Sequence, residues 1–365
     1  MCGARPFTQL GSNTVGHVLP DVPGDWMKHA CITFVLMCSA TAAFAQPRAV
    51  YQQTQYKGQE IGKLTGDVYY ARMDDYLSVF MVTPEGIVLV EPIGTEFATW
   101  LKGELASRFK VPVKYVIYSH HHWDHGSGAS VYADTARIIG HEAMLKRLAM
   151  PPAETPLPQN VRMHDANGNG RIEASEAQGN IKAQFALYDA NRDGVLSGAE
   201  VTRGPLAFVV PPDLTYTDRV TITLGGKRVE VLPRPIAHAD DNTIVRFVDG
   251  SNVLFASDWI TVRRVPFGGD VATKEELALV KTVEGLEFDH FVCSHGMLGK
   301  KADVIANIQY REELRAAVAK AIAAGQTLEQ AQASVTMDAY KDWEFYEQQR
   351  PANVAGTYRA LTAGR

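Results

Sequence analysis

From residue 69 to residue 141 the apolar positions fall into runs of strand length, broken by turn signals and one helical stretch. The segment YYARMDDYLSVFMVTPEGIVLVEPIG, 69–94, alternates apolar runs around Thr83-Pro84-Glu85-Gly86, whose proline and glycine suit a tight turn, so it predicts consecutive strands. From Glu96 to Phe109 the period becomes helical. VPVKYVIYS, 111–119, is rich in β-branched and aromatic residues and predicts a buried strand; a helix containing Ala129 to Ala136 and the strand ARIIG follow. This strand and helix order predicts a layered α/β domain.

The pattern breaks at the prolines between Pro151 and Pro158 and resumes after Gly204-Pro205. RVTITLGGKRVEVLP predicts a hairpin turning at Gly225-Gly226. PIAHADDNTIVRF, SNVLFASDWI and FDHFVCSHG each predict a strand with a polar residue at or just past its end: His238, Asp258 and His295. From Lys301 the chain is expected to be helical over 307–324 and 328–349, with a restart at Pro351. The expected organisation is an α/β domain from 46–150 and 205–300, an insertion at 151–204, and C-terminal helices at 301–365.

Composition narrows the picture. The chain has 365 residues, a formal net charge of −5 and no long basic run, which argues against a nucleic-acid footprint. MKHACITFVLMCSATAAFA, 27–45, has a basic start, an apolar centre and the small-x-small ending Ala43-Phe44-Ala45, the pattern of a secretory signal cut after Ala45. Its apolar centre is shorter than the roughly 20 residues of a spanning helix. The expectation is a start at Met27, a periplasmic or secreted mature chain and no stable membrane insertion. Cys2, Cys31 and Cys38 lie in the part removed, which leaves Cys293 and no intrachain disulfide.

Candidate chemistry lies in two places. HHHWDH, 120–125, follows the strand ending at Ser119, and imidazole nitrogen with carboxylate oxygen is a donor set that zinc or iron accepts. His-rich tracts also occur as solvated loops, so distant partners decide the matter. His120 and His122 project to one side in an extended chain, while His121 alternates away and suits packing or support. Trp123 fits a substrate-facing wall or a packing role equally, Arg263 and Arg264 are candidates for a substrate carboxylate, and His141, His164 and His290 suit structural roles. In the insertion, DANGNGRIEASE (165–176) and DANRDGVLSGAE (189–200) carry oxygen side chains at positions 1, 3 and 5, glycine at 6, an apolar residue at 8 and glutamate at 12. They resemble EF-hands. That resemblance implies one or two Ca²⁺ ions held by Asp165, Asn167, Asn169, the Arg171 carbonyl, Glu173 and Glu176, and by Asp189, Asn191, Asp193, the Val195 carbonyl, Ser197 and Glu200. Pro156 and Pro158 leave little room for a helix entering the first loop, so static stapling is expected rather than sensor-like opening.

HHHWDH, AHADDN, FASD and CSHG, in that order and each beside a strand, resemble the metallo-β-lactamase superfamily. The resemblance implies an αββα sandwich with a metal site along one edge. Matched by motif, His120, His122 and His238 would hold one zinc, Asp124, His125 and His295 a second, and Asp258 would bridge them. Two such metals can hold a bridging hydroxide at neutral pH and stabilise an oxyanion, which implies hydrolysis of a small-molecule carbonyl or phosphoryl compound. Asp124 is the candidate catalytic residue, orienting the nucleophile or carrying a proton. The expected activity is that of a zinc hydrolase, β-lactamase-like or glyoxalase II-like, on a lactam, lactone, ester or thioester. A mononuclear iron persulfide-dioxygenase-like enzyme and a calcium-dependent binding protein on an inactive fold are the alternatives; flavodiiron enzymes place glutamate where His122 stands.

Overall fold

The computed structural model describes residues 56–234 and 238–363. The signal-like segment, 27–45, lies outside the described residues. Among them no helix is long and apolar enough to cross a membrane.

Alternation along the strands builds two sheets with a shared core. The strands β1 (Gln59–Thr65), β2 (Val68–Met73), β3 (Tyr76–Thr83), β4 (Gly86–Val90), β5 (Val113–Ile117) and β6 (Arg137–His141) form one sheet in that order. In β4, Ile87 and Leu89 face outward onto helix α1 (Thr95–Phe109), while Val88 and Val90 face the second sheet, as a period of two requires. Helix α1 answers with Phe97, Ala98, Leu101 and Leu105 on one face and stops at Lys110 in the left-handed region. The short helices α2 (Trp123–Gly126) and α3 (Ala143–Leu148) follow β5 and β6.

The insertion comes next. A short 3₁₀ helix, Gln159–His164, precedes the first acidic loop. The strands β7 (Ile172–Glu173) and β8 (Val195–Leu196) pair Ile172 with Leu196, joining the two loops back to back. Helices α4 (Gly179–Ala183), α5 (Phe185–Tyr188) and α6 (Gly198–Arg203) close a small apolar centre of Leu157, Val161, Ile172, Ile181, Leu196 and Val201. The strand β9 (Leu214–Tyr216) then adds to the first sheet beside β6.

The second sheet is β10 (Val220–Leu224), β11 (Lys227–Pro233), β12 (Thr243–Phe247), β13 (Val253–Ala256) and β14 (His290–Val292). Gly225 and Gly226 both take positive φ in its first hairpin, as the sequence predicts. Val253 and Phe255 point to the first sheet, and Leu254 and Ala256 to helices α7 (Lys274–Glu284) and α8 (Lys301–Ala323). The result is the expected α/β/β/α layering. Helices α9 (Leu328–Ser334) and α10 (Tyr346–Thr362) pack against α8.

Three local expectations differ from what forms. Ala129–Tyr132 makes only a 3₁₀ turn, because Val131, Asp134 and Thr135 are poor helix formers and Lys102 holds Asp134 at 2.6 Å. The helix expected over 328–349 breaks after Ser334: Met337 and Phe345 take positive φ, and Tyr340 and Trp343 turn in to pack on Tyr310. Helix α10 starts at Tyr346 and carries Pro351 inside it, rather than restarting there.

Candidate metal centre

The site forms where the carboxyl ends of β5, β13 and β14 meet at one edge of the sandwich. Two backbone bonds sew the sheets together there, Thr243 N–H to Ser119 O at 2.9 Å and Leu77 N–H to Ser294 O at 2.8 Å. Beyond β5 the chain runs extended through His120 and His122 and then turns into α2, so the tight turn presents Asp124 and His125 beside them. Asp258 and His295 follow β13 and β14. His238 departs from expectation: it sits in the connection between β11 and β12, since β12 begins only at Thr243.

The structure brings all seven residues together, in two groups. His120, His122, His238 and Asp258 offer donor atoms within 4.8 Å of one another, and so do Asp124, His125 and His295. Asp258 touches both groups. Its Oδ2 lies 3.0 Å from His125 Nε2, 3.5 Å from His238 Nε2 and 3.9 Å from His120 Nε2, while its Oδ1 lies 3.3 Å from His295 Nε2.

Electrostatics divides the imidazoles. Burial, then the neighbouring histidines, pushes His120 well below its usual range and His122 down to about 4; burial lowers His238 as well. These rings are neutral at pH 7, with lone pairs available to a metal. Burial would depress His125 too, but Asp124, Asp258 and Glu91 outweigh it and raise its pKa. Asp124 and Asp258 are held well below the carboxylate range: burial opposes their ionisation and His125 overcomes it.

The donor set fits a divalent ion. Ser119 Oγ and Ser257 Oγ engage His120 Nδ1 at 2.9 and 3.2 Å, leaving Nε2 toward the cluster. Glu91 binds His125 Nδ1, and Ser294 Oγ donates to the same Glu91 oxygen at 2.8 Å. His125 Nε2 and Asp258 Oδ1 are buried with no hydrogen-bond partner among the described residues, which a metal ion would relieve. Asp75 stands 3.4 Å from His295 Nδ1. Such carboxylate and hydroxyl partners fix ring orientation and basicity in metal sites.

Several residues take roles the sequence leaves open or conceals. His121 bonds Asp241 at 2.9 Å and supports the loop, as its alternation suggested. His141 accepts from Ala143 N–H, and Trp123 lines the cleft. Neither candidate arginine is available to a substrate carboxylate in the cleft. Arg264 is buried with two bonds to Asp75, at 2.9 and 2.7 Å, and ion pairs with Glu344 at 2.6 Å; Arg263 is exposed and does not line the cleft. Asp75, Glu91, Ser257 and Ser294 escaped sequence reasoning; Glu91, ending the apolar run IVLVE, carried the one visible signal. The twelve calcium-loop positions form two matching loops. Asp165 and Asp189 each accept from the glycine N–H five residues on, Gly170 and Gly194, while Glu176 and Glu200 fold back onto Ala166 and Ala190. Asn167, Asn169, Asn191 and Asp193 accept from following N–H groups, Glu173 receives Asn169, and Ser197 caps α6. Arg171 immediately precedes β7, and Val195 is the first residue of β8.

A cavity of about 640 Å³ opens over the cluster. Trp123, His238 and Phe267 form part of its wall, and Asn180, Gln184 and Arg203 of the insertion another part.

Residues 76–295 match the family described as the Metallo-beta-lactamase superfamily. Among solved structures, the stereoselective inverting sec-alkylsulfatase Pisa1 from Pseudomonas sp. aligns with a TM-score of 0.55 at 14% identity, covering 84% of this chain and 51% of that one. This chain therefore spans about half the length of that sulfatase. A metallo-beta-lactamase from Pontibacter korlensis aligns at a TM-score of 0.48 and 16% identity, covering 70% of this chain and 99% of that one. No curated protein sequence matches. At such identities the structural likeness concerns the fold alone.

Proposed function

The chain belongs to the metallo-beta-lactamase superfamily, and from that membership we propose a dinuclear zinc hydrolase acting on a lactam, lactone, ester or thioester. The observation that carries this reading is Asp258, whose two oxygens reach both histidine groups at 3.0 to 3.5 Å. A carboxylate shared in this way is placed to bridge two ions. His120, His122 and His238 would hold one ion, Asp124, His125 and His295 the other, with Asp258 between. Two ions there would supply Lewis acidity and a nucleophilic water near neutral pH. Asp124 is held ionised and its Oδ2 accepts from the Tyr76 hydroxyl at 3.4 Å, which fixes the carboxylate where it can orient an attacking water. Trp123 and Phe267 keep one side of the cleft apolar.

Metal analysis of protein from its native host tests the reading. Two zincs per chain are expected; one iron would replace it with a persulfide-dioxygenase-like chemistry. Turnover of lactam, lactone and thioester panels should vanish in H120A and H122A, and survival would reject the site.

We read the tandem loops as EF-hand-like calcium sites, supported by their matching turns and the Ile172–Leu196 pairing. Micromolar to millimolar Ca²⁺ should raise the melting temperature. No response to Ca²⁺ or EGTA would refute this. The signal-like segment supports export to the periplasm or beyond, which fractionation of the native host checks.

A further inference from the structure

Arg203 is the last residue of α6, at the point where the insertion rejoins the sandwich, and it lines the same cavity as His122, Asp124 and Asp258. Its Nε donates to Leu148 O at 2.9 Å, which clamps the guanidinium plane against the end of α3. Among the described residues no carboxylate lies within ion-pair distance of it and no hydrogen bond uses its two terminal nitrogens. The side chain is half-buried, and Glu200, one turn back on the same helix, attracts its charge without pairing with it. The other arginine in the wall, Arg264, is already neutralised by Asp75 and Glu344. Asn180 and Gln184, four residues apart, line the same wall.

We propose that Arg203 is the substrate-specificity residue of this cleft, receiving a carboxylate carried by the substrate while the scissile carbonyl lies over the histidine cluster. The inference rests on the hydrolase reading and deepens it: the substrate class is carboxylate-bearing. A guanidinium held at Nε presents its two terminal N–H groups as a fork, the geometry that binds a carboxylate bidentately. Because the fork comes from the insertion and not from the sandwich, the insertion sets what the cleft accepts.

The test uses the zinc-loaded full chain with two esters, p-nitrophenyl hemisuccinate, which carries a carboxylate, and p-nitrophenyl butyrate, which does not. The expected result is a preference for the hemisuccinate expressed in KM. In R203Q the ratio of kcat/KM for the two esters should fall about 10- to 100-fold, the scale of charge-assisted hydrogen bonds, through KM rather than kcat, with partial recovery in R203K. Calorimetric titration with glutarate gives a reading independent of turnover, and its Kd should rise at least about tenfold in R203Q. If neither ester is hydrolysed while glutarate binding still depends on Arg203, the hydrolase reading falls and the carboxylate site stands. Equal losses for both esters, or glutarate binding that is absent or indifferent to the substitution, overturn the proposal even where hydrolysis is strong.

Discussion

Replacing Arg264 by methionine separates a structural arginine from a substrate-binding one. The guanidinium is 1% exposed and shared by Asp75 and Glu344, with the Phe345 ring 4.8 Å from it. R264M removes the cation and leaves Asp75, which is 2% exposed, with only His295 opposite it. Breaking a buried pair in this way costs about 3–5 kcal/mol. At roughly 2–3 °C per kcal/mol for a chain of this size, the melting temperature should drop by about 6–15 °C. Calorimetry on metal-free wild type and variant, compared at one scan rate, measures it.

The pH dependence supplies a second signature. Burial opposes ionisation of Asp75, yet His295 and Arg264 hold its pKa well below the usual carboxylate range. A folded-state pKa below the unfolded value of about 3.9 gives stability that is fully present above about pH 4 and lost as the pH falls. The deficit of R264M should therefore shrink on acidification. The double variant D75N/R264M should regain part of the loss, since the orphaned charge goes with its partner. A melting temperature within about 2 °C of wild type, combined with a raised KM for carboxylate substrates, would refute the structural assignment and return Arg264 to substrate binding.

Three further outcomes are expected. E91Q keeps the shape but weakens the acceptor on His125 Nδ1, so zinc affinity measured by chelator competition should fall about 10- to 100-fold; unchanged affinity would remove Glu91 from the support of the site. D189A should abolish any calcium-dependent rise in melting temperature contributed by the second loop, because Asp189 supplies its first position and also holds Asp193 and Gly194 N–H; a full calcium response would reject that loop as a site. Cys293 is buried, with its thiol pushed up to about 11 by that burial, so mass mapping after alkylation at pH 8 should find it unmodified in folded protein and modified after denaturation.

What the sequence made legible follows the range of the interactions. HHHWDH packs four of the seven clustered residues into six positions, and the strand before it sets their direction, so local pattern suffices. Asp258 and His295 show because each follows a short apolar strand. His238 reads as a strand-end residue in the sequence, but the polar run ADDN delays β12 to Thr243 and leaves it in the connection. The supporting residues stayed hidden because their chemistry is made by partners far along the chain. Asp75 looks like one member of an Asp-Asp turn until Arg264, 189 residues on, reaches it. Arg264 looked available for a substrate for the same reason, since nothing near it in sequence declares that two carboxylates neutralise it. Arg203 is the converse: it closes a loop motif and reads as the end of a short helix, and only the docking of the insertion turns it into the cleft.

That docking explains why an acidic double loop sits in a hydrolase fold at all. Helix α6 has six residues, too few to be stable alone, and its first turn is held by the capping box of Ser197 and Glu200. Glu200 is also the twelfth position of the second loop, and its other oxygen accepts from Ala190 N–H at the loop's start. One carboxylate thus joins the loop to the helix, and three residues later the same helix ends in Arg203. Gly198 presses so closely on Thr155 O that an added Cβ would lie 2.1 Å away, which fixes the start of α6 against the chain entering the insertion. With Leu148 O gripping Nε at the other end, the helix is pinned on both sides and its guanidinium has little freedom. On the calcium reading, an ion bound by Glu200 stiffens the support of the residue that faces the substrate. On the two proposals together the metal chemistries would have separate tasks: the histidine cluster would act on the bond to be broken, and the acidic loops would hold the wall that selects what is presented to it.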